Sequence, residues 1–223
     1  MSAKQQQSAS TAKLKTLVVG SSGLVGSVFV SHWKPSNTGD ELHVLGRRDA
    51  GESSNGIAHV APIEDWQDTI AAIAPDIVFC ALGTTIAKAG SKKAFRAVDL
   101  DLVADVAAAA KQAGARQFIL ISSTMANVKA SGFYVRTKGE AEAAVEEQQF
   151  ERLDIIRPGL LRGDRKEFRA GERVAILLSP VMDCFLQGSL RKYRSVAAAT
   201  VADTALSLVS APVPGRFIHE ALT

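Results

Sequence analysis

The sequence has few cysteines, few aromatic residues and no long apolar run. Its 223 residues include two cysteines, Cys80 and Cys184, and aromatic residues make up 6% of the chain. The cysteines are far apart and form no CxxC or Cys/His spacing, which argues against a metal site or a disulfide framework. No stretch approaches the length of about 20 apolar residues that a membrane-spanning helix needs, and the N-terminus lacks the apolar core of a secretory signal. We therefore expect a protein without a membrane span in the reducing cytoplasm.

The sequence also lacks a block of charge of one sign. The formal net charge is +3, and the basic residues are interspersed with acids, so nothing indicates a nucleic-acid partner. Hydrophobic residues make up 47% of the chain, which is too many for a disordered protein. A length of 223 residues fits one domain. Residues 1–13, rich in Ser, Gln and Ala, are expected to form a disordered tail, and their lack of arginine argues against an organellar transit peptide.

Short apolar runs alternate with longer amphipathic segments after this tail, as in strands joined by crossover helices. We predict six strands, at residues 14–20, 41–45, 57–60, 76–82, 117–121 and 153–157. We predict helices at residues 24–33, 63–74, 92–114 and 134–149, two more around 173–186 and 201–210, and a closing strand at 215–219. The fold class is therefore α/β, a Rossmann-type doubly wound parallel sheet. Residues 14–223 form this single domain, with a small C-terminal lobe from about residue 160.

A glycine-rich turn follows the first predicted strand and opens the first predicted helix. Gly20, Gly23 and Gly26 form a GxxGxxG pattern in the context that a dinucleotide fingerprint requires. Gly20 allows the tight turn, Gly23 lets the backbone approach a pyrophosphate, and Gly26 lets helix and strand pack closely. The helix N-terminus offers free N–H groups to the phosphates. The alternative is a plain glycine-rich turn without a ligand.

Two arginines stand where an NAD-selective site would have its acidic residue. That residue lies about 20 positions beyond the glycines and binds the ribose hydroxyl. Here the position is Gly46, followed by Arg47 and Arg48. Guanidinium groups suit a 2′-phosphate through charge-assisted hydrogen bonds, which predicts NADP(H) as the cofactor. The alternative is a pair of solvated arginines at a strand end.

Ser123, Tyr134 and Lys138 form a candidate catalytic group. Tyr134 and Lys138 are four residues apart on one predicted helix, so the phenol and the ammonium lie on one face. A cation beside a phenol favours the phenolate, which makes Tyr134 a candidate general acid or base. Ser123 follows the fifth strand, where its hydroxyl could hold a substrate carbonyl. The Tyr134/Lys138 spacing and a serine after a strand can each arise by chance, but their order after a phosphate-binding turn favours a catalytic role.

Several strings along the chain resemble one family. LVVGSSGLVG, LGRRD, DIVFCALGTT, FRAVDLD, YVRTKGEAEA and RPGLLRGDRKEFRAGE are similar, in this order, to strings of the Tat-interacting-protein-like oxidoreductases. That family is an atypical branch of the short-chain dehydrogenase/reductases. The resemblance covers residues 14–173 and thins out towards the C-terminus. It implies a Rossmann domain with a small C-terminal lobe and NADPH as the cofactor.

The resemblance also implies roles for matching positions. Tyr134 would donate or accept a proton and Lys138 would hold the nicotinamide ribose. Extended short-chain dehydrogenases usually carry an asparagine for a proton relay after the fourth strand, and Asp99 stands there instead, as it does in this branch. The remaining cofactor contacts implied by the resemblance and the glycine turn are Gly20, Ser22, Gly23, Leu24, Val25 and Gly26 for the phosphates, Arg47 and Arg48 for the 2′-phosphate, Leu82 and Gly83 for adenosine, Leu161 for nicotinamide, and Arg169 from a basic loop.

Two hypotheses of function follow. The first is an NADP-dependent oxidoreductase acting on a small carbonyl or quinone-like substrate, because the expected pocket walls are largely apolar. The second is an NADPH-binding sensor or scaffold with little turnover that regulates a protein partner. The intact Ser123, Tyr134 and Lys138 favour the enzyme, whereas Asp99 favours the sensor. The physiological substrate, the reaction direction, a protein partner and a homo-oligomer stay open. The expected pocket walls are Thr84, Ile86, Met125, Phe133, Leu160 and Phe168.

Overall fold

A seven-stranded parallel sheet forms the centre of the fold. The computed structural model describes residues 13–36, 39–48, 55–162 and 194–222. The strands are β1 (Lys15–Val19), β2 (Glu41–Gly46), β3 (Ile57–Val60), β4 (Ile77–Cys80), β5 (Gln117–Ile121), β6 (Arg152–Ile156), β7 (Leu161–Arg162), β8 (Val196–Ala197) and β9 (Gly215–His219). The main sheet has the order β3-β2-β1-β4-β5-β6-β9, and its neighbouring strands all pair in parallel. Strands β7 and β8 form a separate parallel pair.

Helices cover both faces of the sheet. They are α1 (Leu24–His32), α2 (Trp66–Ile73), α3 (Ile86–Ala89), α4 (Lys92–Arg96), α5 (Leu102–Gln112), α6 (Phe133–Glu146) and α7 (Ala198–Leu208). A 3-10 turn at Ile63–Asp65 precedes α2, and a π-helical turn at Ala97–Asp101 joins α4 to α5. Within the described ranges, no helix has the length and apolarity to cross a bilayer.

The sheet separates two apolar cores. On one face, α2, α5 and α6 pack their buried side chains, such as Ile70 and Val106, against the strands. On the other face, α1 and α7 pack in the same way, and the Phe29 ring of α1 stacks on Phe79 of β4 at 4.1 Å. The central strands are buried on both faces, which explains why they read as continuous apolar runs and not as alternating patterns. This doubly wound arrangement confirms the predicted fold class.

The structure differs from the sequence prediction at particular elements. The predicted helix at 92–114 is interrupted by the π-helical turn, and the one at 63–74 begins as the 3-10 turn. Helix α3 and the β7–β8 pair were not predicted, whereas the closing strand β9 was, and it extends the main sheet. The predicted helix around 173–186 lies outside the described residues.

The carboxyl ends of the parallel strands meet at one edge of the sheet, where ligands of doubly wound folds bind. The turn after β1, the residues after β2 and β4, and the loop between β5 and α6 all lie at this edge. Gly139 brings α6 close to that last loop, because a Cβ at this position would collide with the backbone of Asn127 and Val128. The beginning of α6, with Tyr134 and Lys138, is thereby held beside the end of β5.

Candidate active site

The glycine-rich turn after β1 has the tight geometry that its sequence predicts. Gly20 has a φ of +86°, and a Cβ there would lie 2.5 Å from the Ala81 carbonyl carbon and oxygen. A Cβ on Gly26 would overlap the Gly20 carbonyl group. The Gly23 N–H donates to the Gly20 oxygen at 3.0 Å, which closes the turn. Glycines at positions 20 and 26 are therefore required by packing, whether or not a ligand binds.

The N-terminus of α1 faces outward with unused donors. The first hydrogen bond of the helix runs from the Ser27 N–H to the Gly23 oxygen at 2.9 Å. The N–H groups of Leu24, Val25 and Gly26 precede this bond, so the helix itself offers them no acceptor. No side chain caps this end and no acid lies in its first turn, while Ser22 is exposed beside it. These features suit an anion such as a pyrophosphate.

Arg47 and Arg48 directly follow β2 and are both exposed. Among the described residues, no acidic side chain pairs with either guanidinium. Arg47 also borders a cavity of about 560 Å³ beside the end of β3. The other residues that line this cavity are Val60, Ala61, Pro62, Ile63 and Glu64. The apolar part of this lining, beside the Arg47 guanidinium, could contact the base of a nucleotide.

Lys138 lies inside the site, whereas Tyr134 lies at its surface. The Lys138 side chain is buried, and its Nζ donates to Asp99 Oδ1 at 3.4 Å and to the Ile121 carbonyl oxygen at 3.5 Å. Tyr134 is 40% exposed, and its ring centroid lies 5.7 Å from that of Phe95 in α4. The two residues share one face of α6 at a spacing of four.

Ser123 lies in the loop after β5 and is partly buried. Its hydroxyl donates to the Thr124 carbonyl oxygen at 3.3 Å, a long bond that a substrate carbonyl could replace. Lys138 contacts Ile121, two residues before Ser123 in the chain. The structure therefore brings the end of β5 and the first turns of α6 together, as the predicted catalytic group requires.

Asp99 is a buried carboxylate in the π-helical turn. It accepts hydrogen bonds from the Thr84 N–H at 2.8 Å and from Lys138 at 3.4 Å. Burial raises the pKa of the Asp99 carboxyl, and the attraction of the Lys138 ammonium opposes this rise. Burial also raises the pKa of the nearby Cys80 thiol to about 11, so the thiol is protonated at neutral pH. Cys80 is therefore not a nucleophile in this site.

A second polar network supports the site and was not predicted. Glu142 lies one turn beyond Lys138 on α6 and is buried, with its carboxylate accepting from the Ser122 hydroxyl at 2.5 Å. Arg157, directly after β6, donates twice to the same carboxylate, at 2.6 and 3.0 Å, and once to Glu220 at 3.2 Å. One carboxylate thus joins α6 to the ends of β5 and β6. In the sequence, the four-residue spacing of Tyr134, Lys138 and Glu142 could have indicated that Glu142 lies on the same face of α6 as the two candidate catalytic residues.

The other predicted cofactor contacts lie partly within the described residues and stay predictions. Leu82 and Gly83 follow β4 at the same edge of the sheet, and a Cβ on Gly83 would lie 3.4 Å from Asp99 Oδ1. Leu161 is half-buried in β7. Arg169 and Phe168 lie outside the described residues. Within the described part of the chain, no cluster of three His, Cys, Asp or Glu side chains could hold a metal ion.

Comparison with known proteins gives a family match over most of the sheet. Residues 16–149 match the model of the family described as "Epimerase: NAD dependent epimerase/dehydratase family". The rat protein HTATIP2 is 38% identical over 163 residues, which cover 71% of this chain and 67% of the relative. The protein FMP52-2, mitochondrial, of Scheffersomyces stipitis is 30% identical over 204 residues, which cover 88% of this chain and 87% of the relative.

The fold also matches solved structures. The Bordetella bronchiseptica enzyme WbmH, solved in complex with NAD+, has a TM-score of 0.68 to this chain at 16% identity. The match covers 93% of this chain and 75% of WbmH. A likeness at this identity supports the fold alone. It agrees with the doubly wound sheet.

The expectation of a cytoplasmic location was wrong. Six fungal relatives of the FMP52 type carry the word mitochondrial in their names, which contradicts that expectation. That expectation rested on the widely spaced cysteines, on the missing apolar core of a secretory signal and on the lack of arginine in residues 1–13. Composition of a short N-terminal stretch is therefore a poor guide to the compartment of this chain.

Proposed function

The chain belongs to the NAD dependent epimerase/dehydratase family, and from this premise we propose that it is an NADP(H)-dependent oxidoreductase of the short-chain dehydrogenase/reductase type. Its substrate is a small carbonyl or quinone-like compound. The observation that carries the proposal is the common position of Ser123, Tyr134 and Lys138 at the sheet edge where the glycine-rich turn also lies. The family description supports a nicotinamide dinucleotide, and the choice of NADP(H) rests on Arg47 and Arg48.

The residues present fit this cofactor. The N–H groups at the start of α1 would hold the pyrophosphate, since they have no acceptor within the helix and no competing acid. Arg47 and Arg48 would bind the 2′-phosphate through charge-assisted hydrogen bonds. The apolar cavity bordered by Arg47 would accept the adenine ring. Leu82, Gly83 and Leu161 would complete the contacts along the dinucleotide.

Side chains of this protein would position the substrate oxygen and transfer a proton to it. When bound, the nicotinamide supplies a hydride to the substrate carbonyl carbon or accepts one in the reverse direction. The Ser123 hydroxyl would donate a hydrogen bond to the substrate oxygen, and Tyr134 would give the oxygen its proton. Lys138 would favour the phenolate that Tyr134 becomes and would hold the nicotinamide ribose. Glu142 and Arg157 would keep α6 at a fixed distance from Ser123.

A second candidate function is an NADPH-binding sensor or scaffold that controls a protein partner. The buried ion pair between Asp99 and Lys138 favours this candidate, because it engages the ammonium that catalysis would need. The pair does not exclude catalysis, since an ammonium has three donors and Lys138 uses two of them, for Asp99 and Ile121. One donor remains for a ribose hydroxyl.

Consumption of NADPH with a panel of aldehydes, ketones and quinones separates the two candidates. The oxidoreductase consumes NADPH steadily with at least one class of compound, and Lys138→Ala weakens both cofactor binding and turnover. The control is Lys111→Ala at the far end of α5, which should change neither. Tight NADPH binding without consumption of any compound would favour the sensor.

A further inference from the structure

The two segments that border the candidate active site carry only positive charge. Residues 84–97 follow β4, and residues 124–137 join β5 to the first turns of α6. Together they contain none of the 23 acidic residues of the chain. The basic residues of the two segments are Lys88, Lys92, Lys93, Arg96, Lys129 and Arg136.

Three of these six cations are available to a ligand, since Lys88 also has an interaction partner. Arg96 and Arg136 are engaged by Glu140, and Arg136 also donates to two carbonyl oxygens of its own loop. Lys92, Lys93 and Lys129 are exposed, and none of them pairs with an acidic side chain in the described part of the chain.

Lys92 lies beside the first turn of α6, which carries Tyr134. Its Nζ is 5.3 Å from the centroid of the Phe133 ring, and Phe133 is the residue before Tyr134. The Phe95 ring, in the same helix as Lys92, lies 5.7 Å from the rings of both Phe133 and Tyr134. An aromatic cluster thereby holds a positive charge beside the first turn of α6.

Exposed apolar side chains accompany these cations. Met125 and Val128 lie in the same loop as Lys129 and are 54% and 46% exposed, and Leu160, after β6, is 50% exposed. Ile86 at the start of α3 is exposed as well. Apolar contacts together with unpaired cations suit a ligand that has an apolar body and a negative charge.

We propose that the substrate is an anionic carbonyl compound with an apolar body, whose charged group is bound by Lys92 and Lys129. This inference rests on the proposed function, because it assumes that Tyr134 marks the reacting end. The apolar body would contact the exposed side chains of the β5–α6 loop. The carboxylate, sulfonate or phosphate at the other end would face the two lysines.

The test compares 5-oxo-5-phenylpentanoate with its primary amide, two ketones of the same shape that differ in charge. Calorimetry at saturating NADP+, which has no hydride to transfer to a ketone, measures the affinity of both compounds, and saturation keeps the occupancy of the cofactor site the same for each. The carboxylate should bind about fivefold more tightly at low salt, the range for an exposed ion pair, and the difference should shrink as NaCl is added. Lys92→Gln with Lys129→Gln should remove the difference.

The matched control is Lys34→Gln with Lys111→Gln. These lysines lie at the carboxyl ends of α1 and α5, at the opposite edge of the sheet, and should leave the preference for the carboxylate unchanged. Equal affinity of carboxylate and amide, or no measurable binding of either, would overturn the inference. Selective binding of the carboxylate without NADPH consumption would uphold the inference for the binding site and would count against the oxidoreductase.

Discussion

Gly20→Ala is expected to destabilise the protein more than Gly90→Ala, although both glycines have nearly the same φ angle. Their φ angles are +86° and +80°. An alanine in this left-handed region costs about 1 to 2 kcal/mol at either position. A Cβ on Gly20 would also lie 2.5 Å from the backbone of Ala81, whereas a Cβ on Gly90 would have nothing within 4 Å. Overpacking against rigid backbone adds about 1 to 3 kcal/mol, so the expected loss for Gly20→Ala is about 2 to 5 kcal/mol.

Urea unfolding of the parent and both variants measures these losses. Gly90→Ala should lower the midpoint slightly and leave NADPH affinity unchanged, because Gly90 ends α3 on the surface. Gly20→Ala should lower the midpoint further and weaken NADPH binding, because the phosphate-binding turn must shift away from β4. Equal losses of stability in the two variants would show that the close approach of Gly20 to Ala81 has no energetic consequence, and the account of the turn would be wrong.

Three further predictions follow from the charges. Replacing Arg47 and Arg48 by Ala should erase a preference for NADPH over NADH of roughly tenfold or more in calorimetry, and a parent that binds both equally would contradict their assigned role. Glu142→Gln should cost about 3 to 5 kcal/mol in urea unfolding because it breaks a buried pair, whereas Glu140→Gln, in a more exposed pair, should cost about 1 kcal/mol or less. Asp154 in β6 is buried and accepts hydrogen bonds from Arg152, Gln117 and His219. Burial acts to raise the pKa of the Asp154 carboxyl, but these hydrogen bonds outweigh burial and lower the pKa. The stabilisation from the ionised carboxylate is therefore present above about pH 4 and is lost as the pH falls further. The stability difference between parent and Asp154→Asn should therefore shrink below about pH 4, and a constant difference would refute the shift.

Strands and core helices could be predicted because their local patterns agree with their burial. The run of apolar residues in β4 or β5 is typical of a strand covered on both faces. The π-helical turn at Ala97–Asp101 could not be predicted, because the apolar spacing continues through it from α4 into α5. What distinguishes this turn is the contact of Asp99 with Thr84 and Lys138, which are distant in sequence.

The candidate site was predicted to the extent that its residues lie on one local element or form a known turn. Tyr134 and Lys138 share a helix face, and the glycine turn is contiguous, so spacing alone was informative. The role of Glu142 depends on Arg157 and Ser122, which reach it from two different strands. Such a network becomes visible only when the sheet is assembled, because no spacing in the chain reports which strands are neighbours.

Tyr134→Phe tests the central claim of an oxidoreductase most directly. The substitution keeps the aromatic ring that packs near Phe95 and removes only the hydroxyl, so the fold and the affinity for NADPH should stay close to those of the parent. The measurement is the steady-state rate of NADPH consumption on a carbonyl compound that the parent reduces. The proposed mechanism predicts a fall of about 10² to 10⁴, the usual contribution of a positioned acid or base. An unchanged rate in Tyr134→Phe, with NADPH affinity and stability also unchanged, would contradict it.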